Sequence, residues 1–111
     1  MPVYHRRHVR KALEVDFKAH EATGAGELLF TGVDLSEGGT FLKSDLLLEQ
    51  DEGLSLRFSI PGAVEPVQTQ ARVAWVRRFP GVDEASGMGI EFVAMSENDR
   101  QTLLDYLSAE S

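Results

Sequence analysis

Apolar and polar residues alternate with a period of two in four segments of this chain. The clearest segment runs from Leu13 to Ala19, where apolar odd-numbered positions are separated by Glu14, Asp16 and Lys18. Three further segments repeat the alternation: residues 54–60, 67–75 and 88–94. This period is typical of β-strands that bury one face.

Turn-forming residues separate these segments and delimit two more strands, at residues 27–35 and from Thr40 onward. The predicted turns are at Thr23-Gly24-Ala25-Gly26, Pro61-Gly62 and Pro80-Gly81. Six short strands with no helical segment between them predict an all-β fold, namely a six-stranded antiparallel β-barrel. The inward rows predicted for the last two strands are Val67, Thr69, Ala71, Val73 and Trp75 in the fifth, and Met88, Ile90, Phe92 and Ala94 in the sixth.

One C-terminal α-helix is expected after the sixth strand. Ser96 suits an N-cap, and Asp99 three residues later completes a start that resembles a capping box. Leu103, Leu104 and Leu107 form a narrow apolar stripe. So short a helix is marginal alone, so we expect it to dock on the barrel and cover an edge or an open end.

Length, composition and charge limit the class of protein. The 111 residues suit one domain, with a flexible basic arm over residues 1–11 and the barrel with its helix over 12–111. The chain has no cysteine, no apolar run long enough for a membrane span and no signal-peptide core, so we expect a cytoplasmic protein. Residues 1–11 carry four positive charges, whereas the whole chain carries −7. An acidic body argues against general binding to DNA, RNA or an anionic membrane, and the basic arm indicates a local anion site.

Two motifs are suited to a guanine nucleotide that bears phosphates. Arg6 and Arg10 form RxxxR, and Asp34, Ser36 and Gly39 form DxSxxG. An arginine fork matches phosphate oxygens or the acceptor edge of guanine, and a carboxylate accepts from guanine N–H groups. Glycine lets backbone amides approach a ligand closely.

Five candidate positions in and near these motifs admit a structural alternative. Asp34 and Ser36 side chains can organise a tight turn by bonding nearby amides, and Gly38 and Gly39 fit a turn or bulge equally well. Trp75 can stack on a base, a contact worth about 1–3 kcal/mol, yet its register with Val73 favours burial.

The two motifs, in this order, resemble the paired signature of PilZ domains, bacterial receptors for cyclic di-GMP. Two further segments fit the same family: Arg72-Val73-Ala74-Trp75-Val76 and Gly87-Met88-Gly89-Ile90-Glu91-Phe92. The resemblance extends from Arg6 to about Leu107 and implies a six-stranded antiparallel barrel with a C-terminal helix.

The resemblance also implies roles for single residues. Arg6 and Arg10 would clasp the guanine and phosphates of cyclic di-GMP, with Arg7 as a third contact. Asp34 and Ser36 would hydrogen-bond a guanine, and Gly39 would allow the backbone to turn. Gly38 and Trp75 are secondary candidates.

As a function, the resemblance implies a cyclic di-GMP receptor or adaptor whose N-terminal arm changes conformation on binding and which signals through a protein partner. The alternative is a PilZ-like interaction adaptor that does not bind the nucleotide. We expect a monomer or weak homodimer, with cyclic di-GMP as a ligand and no cofactor.

Other classes have little support in the sequence. His5, His8 and His20 lack the spacing of metal ligands, so we expect no metal site. No motif places a histidine beside Ser36, so we expect no catalytic residue and no enzyme activity. A barrel for single-stranded nucleic acid would need a basic groove lined with exposed aromatic rings, and this acidic chain has nine aromatic residues, several on predicted core faces.

Overall fold

The structure is a computed structural model that describes residues 10–21 and 26–108, with side chains in 14–21 and 26–108. Its elements are β1 (Arg10–Glu21), β2 (Glu27–Ser36), β3 (Gly39–Lys43), β4 (Gly53–Phe58), β5 (Val67–Arg77), β6 (Gly87–Met95) and α1 (Glu97–Ser108). All pairings are antiparallel and the strands close into a barrel in the order β1-β2-β3-β6-β5-β4, with β4 pairing back to β1. The predicted fold is therefore confirmed.

The alternating residues of each strand fill the interior of the barrel. Phe17 and Phe58 lie at its centre with ring centroids 4.5 Å apart, and Leu42, Val73 and Met88 are fully buried around them. Val15, Phe17 and Ala19 are buried as the period of two predicts. No buried polar side-chain atom of the described residues lacks a hydrogen-bond partner, as expected of a well-formed interior.

A bulge in β5 overturns the predicted inward position of Trp75. Val73 pairs with Ile90 and Trp75 pairs with Gly89, so Ala74 is an additional residue in β5. A bulge shifts the following side chains to the other face of a strand. Val73 is accordingly buried, whereas Trp75 is 44% exposed on the outer wall.

A second bulge changes the end of β6. Gln70 pairs with Ala94 and Ala71 with Phe92, which leaves Val93 as the additional residue. Ala94 is exposed, whereas Phe92 is half-buried and stacks on the core residue Phe58, so the predicted inward row of this strand holds for Met88, Ile90 and Phe92 and is wrong for Ala94.

Helix α1 docks against β5 through both polar and apolar contacts. Ser96 Oγ accepts the Asp99 N–H at 3.0 Å, which confirms the predicted N-cap. Asp99 Oδ2 in turn accepts the Gln68 N–H of β5 at 3.1 Å. Leu103 and Leu107 are buried in the core. Within the described part of the chain, no helix is long and apolar enough to cross a membrane.

The N-terminal boundary differs from the predicted arm. β1 begins at Arg10, so Arg10 and Lys11 pair with β2 rather than preceding the barrel. Residues 1–9, which include Arg6 and Arg7, lie outside the described residues.

Strands β3 and β6 leave no space for a side chain at Gly39. A Cβ atom on Gly39 would overlap the carbonyl oxygen of Ile90, a backbone atom that cannot move aside without breaking the pairing of the strands. Gly53 also begins a strand, yet a Cβ there meets no atom within 4 Å. Glycine at position 39 is therefore required by the barrel itself.

We expect Gly39→Ala to destabilise the protein and Gly53→Ala to have little effect. Forcing an extra carbon into a packed site costs about 1–3 kcal/mol, and each kcal/mol lowers the melting temperature by about 4–8 °C in a domain of this size. Thermal unfolding of both variants without ligand measures the difference. Equal melting temperatures for the two variants would contradict the steric role of Gly39.

Candidate functional site

A tight turn at residues 36–39 joins β2 to β3 and is organised by the Ser36 hydroxyl. Ser36 Oγ accepts N–H groups from Gly38 at 3.3 Å and Gly39 at 3.2 Å, and it donates to the Gly39 carbonyl at 3.3 Å. These contacts use the one donor and both acceptor positions of a hydroxyl, and Ser36 is buried. Ser36 therefore holds the turn in shape.

Asp34 joins the same two strands. Its Oδ1 accepts the Phe41 N–H at 3.0 Å, and its own carbonyl accepts from Thr40 Oγ1 at 2.6 Å. The β2–β3 register shifts between Gly32 and Asp34, and the β1–β2 register shifts between Ala12 and Val15. Bulges are common beside functional sites because they redirect side chains. The turn-building alternative for Asp34 and Ser36 thus describes what both side chains do in this structure.

Arg10 lies next to this turn. It is the register partner of Ser36 in the β1–β2 ladder, and Ala12 is the partner of Asp34. The second arginine of RxxxR and the DxSxxG motif, 24 residues apart in sequence, are therefore neighbours on adjacent strands. The structure brings together these predicted site residues, whereas Arg6 and Arg7 precede its first described residue.

Two aromatic rings lie beside the turn, flat against the outer wall. Phe41 and Trp75 stack with centroids 5.5 Å apart and an interplanar angle of 25°. A Cβ on Gly89 would overlap the Trp75 indole, and a Cβ on Gly87 would lie 2.6 Å from Phe41 Cζ. The two glycines of β6 thus leave a bare strip that the rings cover.

The turn and the rings border one open depression of about 610 Å³. Its described lining consists of Asp34, Ser36, Gly38, Gly39, Thr40, Phe41, Ala74, Trp75, Arg77, Gly89, Ile90 and Glu91. The site offers backbone amides, carboxylates, a cation and an aromatic surface, which suits a ligand with polar edges and flat rings. Among the described residues, no group of three or more histidine or acidic side chains could hold a metal ion.

Arg72 offsets the charge of Glu91 at the edge of the depression. Its Nε and Nη2 donate to Glu91 Oε1 at 3.1 and 2.6 Å, and its Nη1 donates to Asp51 Oδ1 at 2.6 Å. The hydrogen bond and negative charge of Glu91 raise the pKa of Arg72, with a smaller contribution from Asp51. The acidic wall therefore repels an anionic ligand less than its residue types suggest.

The turn is also tied to the helix. Glu37 Oε2 accepts from Arg100 Nη2 at 2.7 Å, and Arg100 lies in the first half of α1. This contact joins the turn between Ser36 and Gly39 to the helix that packs on β5.

Seven of the twelve described lining residues were not identified as site residues from the sequence, among them Phe41, Arg77 and Glu91. The glycines at 87 and 89, two residues apart in a strand, are the signal that the sequence did contain, because glycine within a strand often marks a close approach of another group.

Solved structures share this fold. Bacillus subtilis MotI/DgrA, an inhibitor of motility, superposes with a TM-score of 0.79 at 22% identity, over 95% of this chain and 50% of its own. The PilZ domain of Escherichia coli YcgR, solved with c-di-GMP, gives 0.73 at 15% identity, over 96% of this chain and 91% of that domain. K. pneumonia MrkH, in its c-di-GMP complex, superposes with a TM-score of 0.68 at 19% identity, over 95% of this chain and 51% of its own.

This chain thus spans about half the length of MotI/DgrA and MrkH. No curated protein matches it in sequence. The family model described as the PilZ domain matches residues 4–109, which is nearly the whole chain. On that match, and with the closed barrel and C-terminal helix described above, the chain belongs to the PilZ domain family.

Proposed function

We propose that this chain is a cyclic di-GMP receptor that binds its ligand in the depression beside the 36–39 turn. The observation that carries the proposal is the register of β1 and β2, which sets the backbone of Arg10 opposite Ser36, at the turn that borders the depression. The presence of c-di-GMP in the YcgR PilZ domain and in MrkH supports the ligand class. Arg6 and Arg7 complete the proposed cation set from the preceding residues of the motif.

Under this proposal the residues of the two motifs have different roles. A guanidinium at Arg10 forms charge-assisted hydrogen bonds to phosphate or guanine. The Ser36 hydroxyl fixes the turn so that the backbone near Gly38 and Gly39 needs no reorganisation on binding, which lowers the entropic cost of association. Trp75, exposed on the wall, provides a face on which a guanine base can stack.

Titration with cyclic di-GMP tests the proposal, with cyclic di-AMP, GTP and a short RNA as controls. Trp75 is the only tryptophan of the chain and lies in the depression, so its fluorescence reports on this site alone. Saturable binding of cyclic di-GMP with a change in that fluorescence supports the receptor. Absence of binding would favour the alternative, an interaction adaptor that has no nucleotide ligand.

We expect Arg10→Ala to weaken cyclic di-GMP binding on the order of 10- to 150-fold, because a hydrogen bond to a charged group contributes about 1.5–3 kcal/mol. Lys18→Ala is the matched control, since Lys18 is an exposed cation of the same strand that does not line the depression. Calorimetry on both folded variants measures the difference. An Arg10→Ala protein with the parental dissociation constant would refute the role of Arg10.

We expect Asp34→Asn to reduce the preference for cyclic di-GMP over cyclic di-AMP while preserving the melting temperature. An asparagine oxygen can still accept the Phe41 N–H, but its amide group replaces an acceptor with a donor toward the N–H edge of guanine. Asp34→Ala removes both functions and should also lower the melting temperature. Unchanged selectivity in the Asp34→Asn variant would contradict a role of Asp34 in recognising guanine.

We also propose that the ligand changes the conformation of the N-terminal arm and thereby creates a surface for a protein partner. Four positive charges lie within residues 6–11, and two phosphates would neutralise their repulsion. Ordering costs about 1–2 kcal/mol per residue, so the change should stay close to the motif.

Amide hydrogen exchange tests this step. We expect cyclic di-GMP to slow exchange at residues 5–11, mainly before Arg10, where strand pairing of β1 begins, and less at residues 34–39. Residues 54–58 of β4, which do not line the depression, provide an internal reference apart from the site. Equal exchange at residues 5–9 in free and bound protein would exclude the arm as a switch while leaving binding intact.

A further inference from the structure

The guanidinium of Arg77 lies over both aromatic rings at the edge of the depression. Arg77 is the last residue of β5 and pairs with Gly87 of β6. Its Cζ is 5.2 Å from the Phe41 ring centroid and 5.3 Å from the Trp75 ring centroid. Both distances are within the range of cation–π attraction. The two rings therefore hold this cation at a defined place on the wall.

Polar protein atoms engage Arg77 only weakly. Its Nη1 donates to the Ala85 carbonyl at 3.3 Å, and its Nε lies 3.9 Å from Glu84 Oε1. The same Glu84 oxygen accepts the Gly81 N–H at 2.6 Å. A guanidinium has five N–H donors, so most of those on Arg77 have no hydrogen-bond acceptor among the described residues.

Arg72 shows how this fold holds a structural arginine. It donates three hydrogen bonds to Glu91 and Asp51, all to carboxylate oxygens. Arg77, in contrast, lies over two aromatic faces, which attract its charge without accepting its N–H groups in hydrogen bonds, so these donors can bind another acceptor. The side chain is 32% exposed, so a ligand in the depression can reach it.

Arg77 also fits the distribution of charge. It is the one cation among the described residues that line the depression, whose acidic members are Asp34 and Glu91. Arg10 belongs to β1, next to β2, whereas Arg77 belongs to β5, beyond β3 and β6 in the strand order. A ligand with two phosphates placed between them would have a positive group on each side.

We propose that Arg77 is a further ligand-binding residue, which donates two N–H groups to a phosphate of the cyclic dinucleotide from the side of the barrel wall. The inference rests on the proposed function and adds to it a contact outside the RxxxR and DxSxxG motifs. A planar fork suits two phosphate oxygens better than a lysine ammonium does.

Calorimetric titration with cyclic di-GMP tests the assignment in Arg77→Gln and Arg78→Gln. Glutamine retains part of the aliphatic stem and an N–H donor for Ala85 but removes the charge. Arg78 is the matched control because it is the adjacent arginine, exposed and absent from the lining of the depression. We expect Arg77→Gln to weaken binding by about 10-fold or more and Arg78→Gln by less than about 2-fold.

A second pair of variants, Arg77→Lys and Arg78→Lys, keeps the net charge. These variants test the role of Arg77 if the Arg77→Gln protein does not fold. We expect Arg77→Lys to bind several-fold more weakly than the parent, because lysine lacks the fork, while Arg78→Lys matches the parent. Parental affinity in a folded Arg77→Gln protein, or equal losses at positions 77 and 78, would overturn this inference alone. Failure of the parent itself to bind cyclic di-GMP would overturn the proposed function and this inference together.

Discussion

The bulge at Ala74 determines that the aromatic side chains of the candidate site lie on the outer side of the barrel wall. If β5 had kept a strict period of two after Val73, Trp75 would point into a core that Phe17, Phe58 and Met88 already fill. The additional residue turns the indole outward, over the bare backbone of Gly89. Phe41 then stacks on the indole and Arg77 on both rings. One extra residue in one strand thus creates the aromatic half of the site.

The sequence predicted the barrel more completely than the site because the barrel depends on a repeated signal. Alternation in residues 13–19 identifies an inward row, and the same information recurs in each strand. A bulge has no comparable signal, because Val73-Ala74-Trp75 reads as an ordinary strand until its partner is known. That is why Trp75 and Ala94 were assigned to the wrong face. The register that sets Arg10 beside Ser36 likewise depends on pairing between strands, which composition does not reveal.

Residues of the DxSxxG motif meet structural requirements of the barrel. Ser36 uses its full hydrogen-bonding capacity within the turn, and Gly39 leaves space for the Ile90 carbonyl. These requirements exist without a ligand, so the turn is built by folding rather than by binding. A preformed turn presents its amides at fixed positions, and the entropy of ordering them is lost during folding instead of during association. The structural and ligand-binding interpretations of this motif are therefore compatible.

Electrostatics explain how a chain of net charge −7 can offer a site to an anion. The negative charge of Glu91 is balanced by Arg72 on the neighbouring strand, and Glu37 is paired with Arg100 of α1. Acidic residues around the turn are thus held by fixed cations, which limits their repulsion of phosphate. These pairs are partly exposed, so each contributes little to stability. Their greater effect is on geometry, because the Glu37–Arg100 pair links the turn to α1.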